Sequence, residues 1–301
     1  MSEARGLLFE KLVSDVWNDW DVKYRKLTTD QRKKSFDDMV QGAWYAVREL
    51  KQHIKTTEIA KKISTAEVNE KWTGNKYGEP KTDVSIGNYH ISLKYGPAQI
   101  MSSSPEEIKA VLNVATSNIN KTEIIIKIIN SLNDLVEIKN TGDVIAKKIT
   151  IKDKYIDTKT GKERVKGISN IIEEDKNIYY MLEQIKEKHK ELQNDFIKLF
   201  NDEQIKYKFI EESLTGKVKY NGNLGTATHL LSFSKKENKH IFKPFDENTI
   251  KEISNMSNIS MSFKSSGTLT TIDEPNGKRN AWSVLRIIMG ELEDDNEINI
   301  S

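Results

Sequence analysis

Residues 79 to 101 carry the side chains of this chain that are best suited to chemistry. Asp83 is followed by Ser92 and Lys94, and the turn signal Gly87-Asn88 lies between runs that alternate apolar and polar residues. A two-residue loop fixes the register of a hairpin, so Asp83 is predicted to lie opposite Ser92. A carboxylate can hold a divalent metal, and a nearby ammonium group can orient a water molecule or contact a phosphate.

The same alternation predicts the two faces of this hairpin, because successive side chains of a strand point to opposite sides. The register places Val84 opposite Ile91 and Ile86 opposite Tyr89. The predicted core face consists of Val84, Ile86, Ile91 and Leu93. The predicted polar face consists of Glu79, Lys81, Asp83, Ser85, His90, Ser92 and Lys94. The alternative interpretation is an ordinary hairpin whose polar face is solvated.

A helix is predicted over residues 2 to 20, where apolar residues recur at helical spacing. Gly6 and Glu10 are four residues apart and share one strip of that helix. A glycine there allows another backbone to approach closely, and Glu10 would then point into whatever approaches. The alternative is that Glu10 is an acid near a helix N-terminus, stabilised by the helix dipole.

Composition limits the class of protein. The chain has 301 residues, of which 37% are hydrophobic and 31% charged, which suits one large domain or two smaller ones. The net charge of +2 permits nucleic-acid binding only through a local basic surface. The lack of cysteine excludes disulfides, thiolate metal sites and a cysteine nucleophile. With no apolar run long enough to span a membrane and no signal peptide, we expect a cytoplasmic protein, in the host cytoplasm if it is viral.

The stretch after the hairpin leads into another helix. Three serines and Pro105, followed by two glutamates, are start signals for that helix. Gln99 lies between Lys94 and the predicted helix N-terminus, where amides and hydroxyls suit a phosphate. The alternative is an ordinary loop and helix cap.

The order of these residues resembles that of a known family. Glu10 in an early helix, Asp83 on a strand and Lys94 on its hairpin partner, followed by Gln99, resemble the PD-(D/E)xK superfamily of restriction-endonuclease-like nucleases. The resemblance covers about residues 1 to 120 and implies an α/β or α+β fold, with a mixed sheet flanked by helices. It also implies DNA as the partner and Mg²⁺ or Mn²⁺ as the cofactor.

The resemblance assigns roles to individual residues. Asp83 and Glu10 would be metal ligands, Lys94 would act on the attacking water, and Gln99 matches the glutamine that follows the lysine in some members. Two positions depart from the family pattern: Pro80 is three residues before Asp83, and Ser92 occupies the place of the second acid. Glu79 or Glu10 would supply the missing acid. The implied catalytic set is Asp83, Lys94, Glu10, Ser92 and Gln99, and the implied metal ligands are Asp83, Glu10 and Glu79.

The remainder, residues 121 to 301, is predicted to be a second α+β region that completes or extends the core or mediates DNA binding and self-association. Residues 178 to 199 place apolar side chains at a heptad spacing, which predicts packing against a helix of the same chain or of a second copy in a homodimer. Residues 144 to 152 alternate like a strand. Strands are also predicted at 228–233, 239–242 and 259–264, and a final helix at 281–292.

Two functions fit these observations. One is a magnesium-dependent DNA endonuclease that hydrolyses phosphodiester bonds, or a DNA-binding protein derived from such a nuclease. Basic residues near 158–166 and at Lys235, Lys236 and Lys239 would then neutralise backbone phosphates, or belong to solvated loops. The alternative is a non-catalytic structural or DNA-binding protein of a phage particle, since residues 79–101 also resemble uncharacterised proteins of large tailed phages. The sequence leaves the choice between enzyme and non-enzyme open.

Overall fold

A computed structural model of the chain describes residues 3–27, 31, 37–64, 68, 80–95, 99–150, 154–156, 163–165, 176–234, 238–262 and 284–290. The chain divides into two compact units, neither of which is continuous in sequence. The first unit comprises Met1–Ile100, Tyr207–Ser257 and Ile288–Ser301, and the second comprises Met101–Lys206 and Asn258–Ile287.

Helices and strands alternate along the described chain, so the fold is mixed α/β. The helices are α1 (Glu3–Asn18), α2 (Asp38–His53), α3 (Pro105–Ala115), α4 (Glu123–Thr150), α5 (Lys176–Leu199), α6 (Glu203–Thr215) and α7 (Glu247–Met256), with a π-helix at Trp20–Tyr24. The strands are β1 (Ala60–Lys62), β2 (Val84–Ile86), β3 (Tyr89–Tyr95), β4 (Gln99–Ser103), β5 (Lys154–Ile156), β6 (Glu163–Val165), β7 (His229–Ser234), β8 (Lys239–Pro244), β9 (Asn258–Ser262) and β10 (Val284–Ile288).

The first unit is built on a mixed five-stranded sheet in the order β1-β2-β3-β7-β8. Strand β2 pairs antiparallel with both β1 and β3, and β7 pairs antiparallel with β8. Strands β3 and β7 run parallel, with Tyr95 beside Phe233. A parallel neighbour requires a long connection, which here runs from residue 95 to residue 229. Residues from the second half of the chain therefore complete the sheet that begins in the first half.

The β2–β3 hairpin has the predicted register. Val84 pairs with Ile91 and Ile86 with Tyr89, across a turn in which Gly87 has a positive φ of 55°. That backbone conformation favours glycine, because a side chain there would be strained. Val84, Ile86 and Ile91 are fully buried, as predicted for the core face.

Helices α1 and α2 pack on the apolar face of the sheet and form the main core of the first unit. Asp37 caps α2 by accepting hydrogen bonds from the amides of Met39 and Val40. The buried core residues are Val13, Val16, Trp17, Trp20, Ala43, Trp44, Ala46, Val47, Leu50, Ile54, Ala60, Val84, Ile86, Ile91 and Leu231. Because Leu231 belongs to this core, β7 is part of the packing and not an appendage.

The second unit packs α5 against α4 and β9, and α3 against α4. The described apolar residues of the predicted heptad seam on α5 are buried: Ile185, Leu192, Phe196 and Leu199. Helix α4, against which α5 packs, buries Ile125, Ile128, Leu132 and Leu135. The side chains of the ion pairs Lys127–Asp195 and Lys188–Asp134 join the same two helices. Since these seam residues are covered within the chain, they no longer argue for a homodimer.

Two predictions of secondary structure are wrong. Residues 144–150 belong to helix α4. Ile145 and Ile149 are four residues apart, which fits one face of a helix as well as one face of a strand, so a run this short does not distinguish a helix from a strand. Residues 284–288, predicted to be helical, form strand β10. Burial alternates there, since Leu285 and Ile287 are buried whereas Ile288 is exposed.

None of the helices in the described ranges combines the length and the apolar character needed to cross a lipid bilayer.

Candidate metal site in the first unit

Asp83 is fixed at the end of the β2–β3 ladder by contacts with β3. Its backbone N–H donates to the carbonyl of Ile91 at 2.9 Å. Its carboxylate Oδ2 accepts hydrogen bonds from the N–H of Leu93 at 2.6 Å and from Ser92 Oγ at 3.3 Å. The side chain therefore occupies the place where a backbone carbonyl would continue the ladder, and its position is set by the strand.

Lys94 lies beside this carboxylate. Its Nζ is 3.9 Å from Oδ2 of Asp83, and the two side chains are 22% and 21% exposed. Both groups thus keep contact with solvent while the backbone of β3 holds them together. Ser92, by contrast, is only 2% exposed, so its hydroxyl serves Asp83 as a donor from a buried position.

Glu10 of helix α1 lies within electrostatic range of this pair, because the charges of Asp83 and Lys94 both act on its pKa. Burial, followed by the negative charge of Asp83, raises the pKa of Glu10 to about 6, while Lys62 and Lys94 act in the opposite direction. The Glu10 side chain is 17% exposed. The structure therefore brings together Glu10, Asp83 and Lys94, which come from three different elements.

Lys62 is a fourth member that the sequence analysis missed. It lies at the end of β1, its Nζ is 3.2 Å from Oε2 of Glu10, and it donates to the carbonyl of Leu7 at 3.0 Å. The three-residue strand β1 pairs with β2 and carries no strong periodic signal. A register that pairs Lys62 with Val84 puts this lysine beside the hairpin, and that pairing is not apparent from the sequence.

Other predicted site residues are placed differently. Gln99 is exposed at the start of β4, and within the described ranges no hydrogen bond joins it to the cluster. Glu79 lies outside the described residues. Gly6 has open space where a Cβ would stand, so the predicted close approach at Gly6 is wrong. Helix α1 packs on the core further along, through Val13, Val16 and Trp17.

The predicted basic surface is described only in part. Lys235 and Lys236 lie outside the described residues, as do most of residues 157–170, although β5 and β6 form a short antiparallel hairpin. Lys239 is the first residue of β8. A continuous basic surface around the cluster therefore stays a prediction.

The cluster combines two carboxylates with two ammonium groups. Among the described residues no set of three or more His, Cys, Asp and Glu side chains could together hold a metal ion. Two carboxylates suffice for Mg²⁺, which keeps several water ligands and often binds through one or two carboxylates and substrate phosphates. The oxygen donors of Glu10 and Asp83 fit that requirement. A divalent cation would favour the charged form of Glu10 against the burial, and against the negative charge of Asp83, that raise its pKa.

Comparison with known proteins gives no relative on which to base a function. No family model matches the chain, and no curated protein matches its sequence significantly.

Proposed function

We propose that the chain is a magnesium- or manganese-dependent nuclease with a restriction-endonuclease-like first unit. The observation that carries the proposal is that Glu10 of α1 lies within electrostatic range of the Asp83–Lys94 ion pair, although these residues are far apart in sequence. A mixed sheet with helices packed on it is the fold that the resemblance implies, and the first unit has such a sheet. The proposed substrate is DNA.

Each residue has a role that follows from its position. Glu10 and Asp83 would hold the cation, and Ser92 and the N–H of Leu93 keep the Asp83 carboxylate in place. The bound cation would stabilise the charge that develops on the phosphate during hydrolysis. Lys94, which is partly exposed beside Asp83, would orient the attacking water and contact the phosphate.

Lys62 sets a condition on metal binding. Its Nζ contacts Oε2 of Glu10, so this oxygen must be shared or released when a cation binds. Lys62 also keeps the buried carboxylate compensated when no cation is present, which stabilises Glu10 in position. Lys62 and the contacts of Asp83 with β3 thus set the positions of the two carboxylates.

The decisive experiment incubates plasmid and single-stranded DNA with the purified protein and Mg²⁺ or Mn²⁺. We expect cleavage in the wild type and a loss of 100-fold or more, on the order of general acid–base effects, in Lys94→Ala. Lys11→Ala is the matched control, because Lys11 is an exposed lysine of the same unit, paired with Asp15. Cleavage by Lys94→Ala at the wild-type rate would remove the nuclease proposal.

A second candidate is a DNA-binding protein that does not cleave, including one of a phage particle. The ion pair between Lys62 and Glu10 favours it, because the ammonium group of Lys62 already compensates the charge of the buried acid. In that case the wild type would bind DNA in EDTA and would leave it intact with either metal.

A further inference from the structure

A groove lies on the helix-covered side of the sheet in the first unit, at the end of β7 and the start of β8. It has a volume of about 940 Å³. It is lined by helix α2, by Phe9 of α1 and by Phe233 and His240, which pair across β7 and β8. Among the described strands β8 is at the edge of the sheet, so none of them lies beyond it on this side of the groove.

The lining combines aromatic rings with hydrogen-bonding groups. Phe9, Tyr45 and Phe233 provide ring surfaces, and Tyr45 is 38% exposed. His240 is 8% exposed and stacks edge-on against Phe233 with ring centroids 5.1 Å apart.

The protonation state of His240 matters for what it can bind. Burial lowers the pKa of His240 to about 4, so the ring is neutral at pH 7. A neutral imidazole offers one donor and one acceptor, which suits the edge of a planar heterocycle better than a phosphate. Positive charge comes instead from Arg48 and Lys239, while Asp38 and Glu49 place acids along the same groove.

The groove and the carboxylate cluster lie at the same edge of the sheet. Strands β3 and β7 run parallel and end side by side, with Tyr95 next to Phe233 of the groove and one residue after Lys94 of the cluster. Helix α1 contributes to both, because Phe9 lines the groove and Glu10 belongs to the cluster. A nucleic-acid strand bound at the cluster would therefore lie along the sheet edge at which the groove is found.

We propose that this groove binds an unstacked nucleotide of single-stranded nucleic acid, next to the phosphate held at Glu10 and Asp83. The inference rests on the proposed function and narrows its substrate to single-stranded or frayed DNA. Aromatic side chains that stack on bases, together with nearby cations, are the usual way of binding single strands without reading sequence. A base within a duplex remains stacked and paired, and it cannot enter the groove.

The test measures binding of a fluorescently labelled single-stranded oligonucleotide in EDTA, by anisotropy. We expect Tyr45→Ala to weaken binding about 10-fold or more, because stacking on an aromatic ring contributes strongly per base. Tyr45→Phe keeps the ring and should retain wild-type affinity. Arg48→Gln should weaken binding more than Arg25→Gln, a matched control whose side chain is 70% exposed elsewhere in the same unit.

Two results would overturn the inference. One is wild-type affinity in Tyr45→Ala with a thermal melting curve that shows it is folded. The other is equal affinity for the single strand and for its duplex. Because the assay contains no metal, its outcome is independent of cleavage. If binding depends on Tyr45 but the wild type does not cleave DNA, the groove binds a nucleotide and the nuclease proposal is wrong. If the wild type cleaves DNA but binding does not depend on Tyr45, the nuclease proposal stands and the groove inference is wrong.

Discussion

At the scale of single residues, Asp83 has two kinds of partner. Its carboxylate accepts the Leu93 N–H, which fixes the strand, and it lies 3.9 Å from Lys94, which belongs to the proposed chemistry. A substitution can separate these roles, because an amide keeps an acceptor oxygen but loses the charge.

We therefore expect Asp83→Asn and Asp83→Ala to differ in stability. Both should lose Mn²⁺ binding, measured by titration calorimetry. Asp83→Asn should unfold near the wild-type midpoint, whereas Asp83→Ala should lose about 1–3 kcal/mol of unfolding free energy because the Leu93 N–H is left without its acceptor. Equal stability of the two variants in urea would show that this hydrogen bond contributes little.

The raised pKa of Glu10 predicts that the stability of the protein depends on pH when no metal is added. Its pKa is about 6 in the folded protein against 4.5 in the ordinary state, so the folded state binds more protons between these values. The free energy of unfolding should therefore fall by about 2 kcal/mol as the pH rises from 4.5 to above 6.

Glu10→Gln should lack this fall, because the amide does not titrate. The comparison uses urea denaturation of both proteins in EDTA across the same pH range. If the two unfolding free energies run parallel with pH, the pKa of Glu10 is not raised in the folded protein.

At the scale of elements, helix α5 makes its own contacts within the second unit. The heptad spacing predicts an apolar seam, and the described seam residues are buried where α5 packs with α4 and β9. His189 lies on the same helix and is 6% exposed, and burial lowers its pKa to about 4. It is therefore a neutral interior histidine.

Leu192 and Ile197 offer a matched pair on this helix. Leu192 is fully buried and Ile197 is 48% exposed. We expect Leu192→Ala to cost about 2–5 kcal/mol of unfolding free energy through the cavity it leaves, and Ile197→Ala to cost within about 0.5 kcal/mol.

The same denaturation curves test self-association. If α5 is covered by its own chain, the unfolding midpoint should not change with protein concentration. A midpoint that rises with concentration would indicate that a second copy contributes to the stability of the folded chain.

At the scale of the whole molecule, the first unit is assembled from distant parts of the sequence. Strand β7 provides the parallel neighbour of β3, and Leu231 completes the core beneath α1 and α2. The strand that carries Lys94 is thus internal to the sheet only because residues 229–234 return to it.

A fragment of residues 1–120 should therefore fail to fold. It lacks β7 and β8, so one edge of β3 would be unpaired and the core would be open at Leu231. Circular dichroism and thermal melting should show no cooperative transition. A chain that joins residues 1–100 to residues 207–257 through a flexible linker should regain a cooperative transition. Cooperative melting of the 1–120 fragment would contradict this expectation.

The features that the residue pattern predicts correctly are local ones. The Gly87-Asn88 turn and the alternation around it gave the register that brings Asp83 to Ser92 and Lys94, because a two-residue loop leaves one pairing that buries the apolar face. The heptad spacing likewise indicated which side of the helix at 178–199 would be covered. In both cases the relevant residues are close in sequence and belong to one hairpin or one helix.

Contacts between residues far apart in sequence follow only from the tertiary packing. Lys62 meets Glu10 across 52 positions of the sequence, counted from 10 to 62, and Phe233 meets Tyr95 through a parallel strand pair. Such contacts depend on which of several possible packings buries the most apolar surface, and no local periodicity records that choice. The same reason explains why β10 was predicted as a helix: its alternating burial depends on its neighbours in the sheet, β4 and β9.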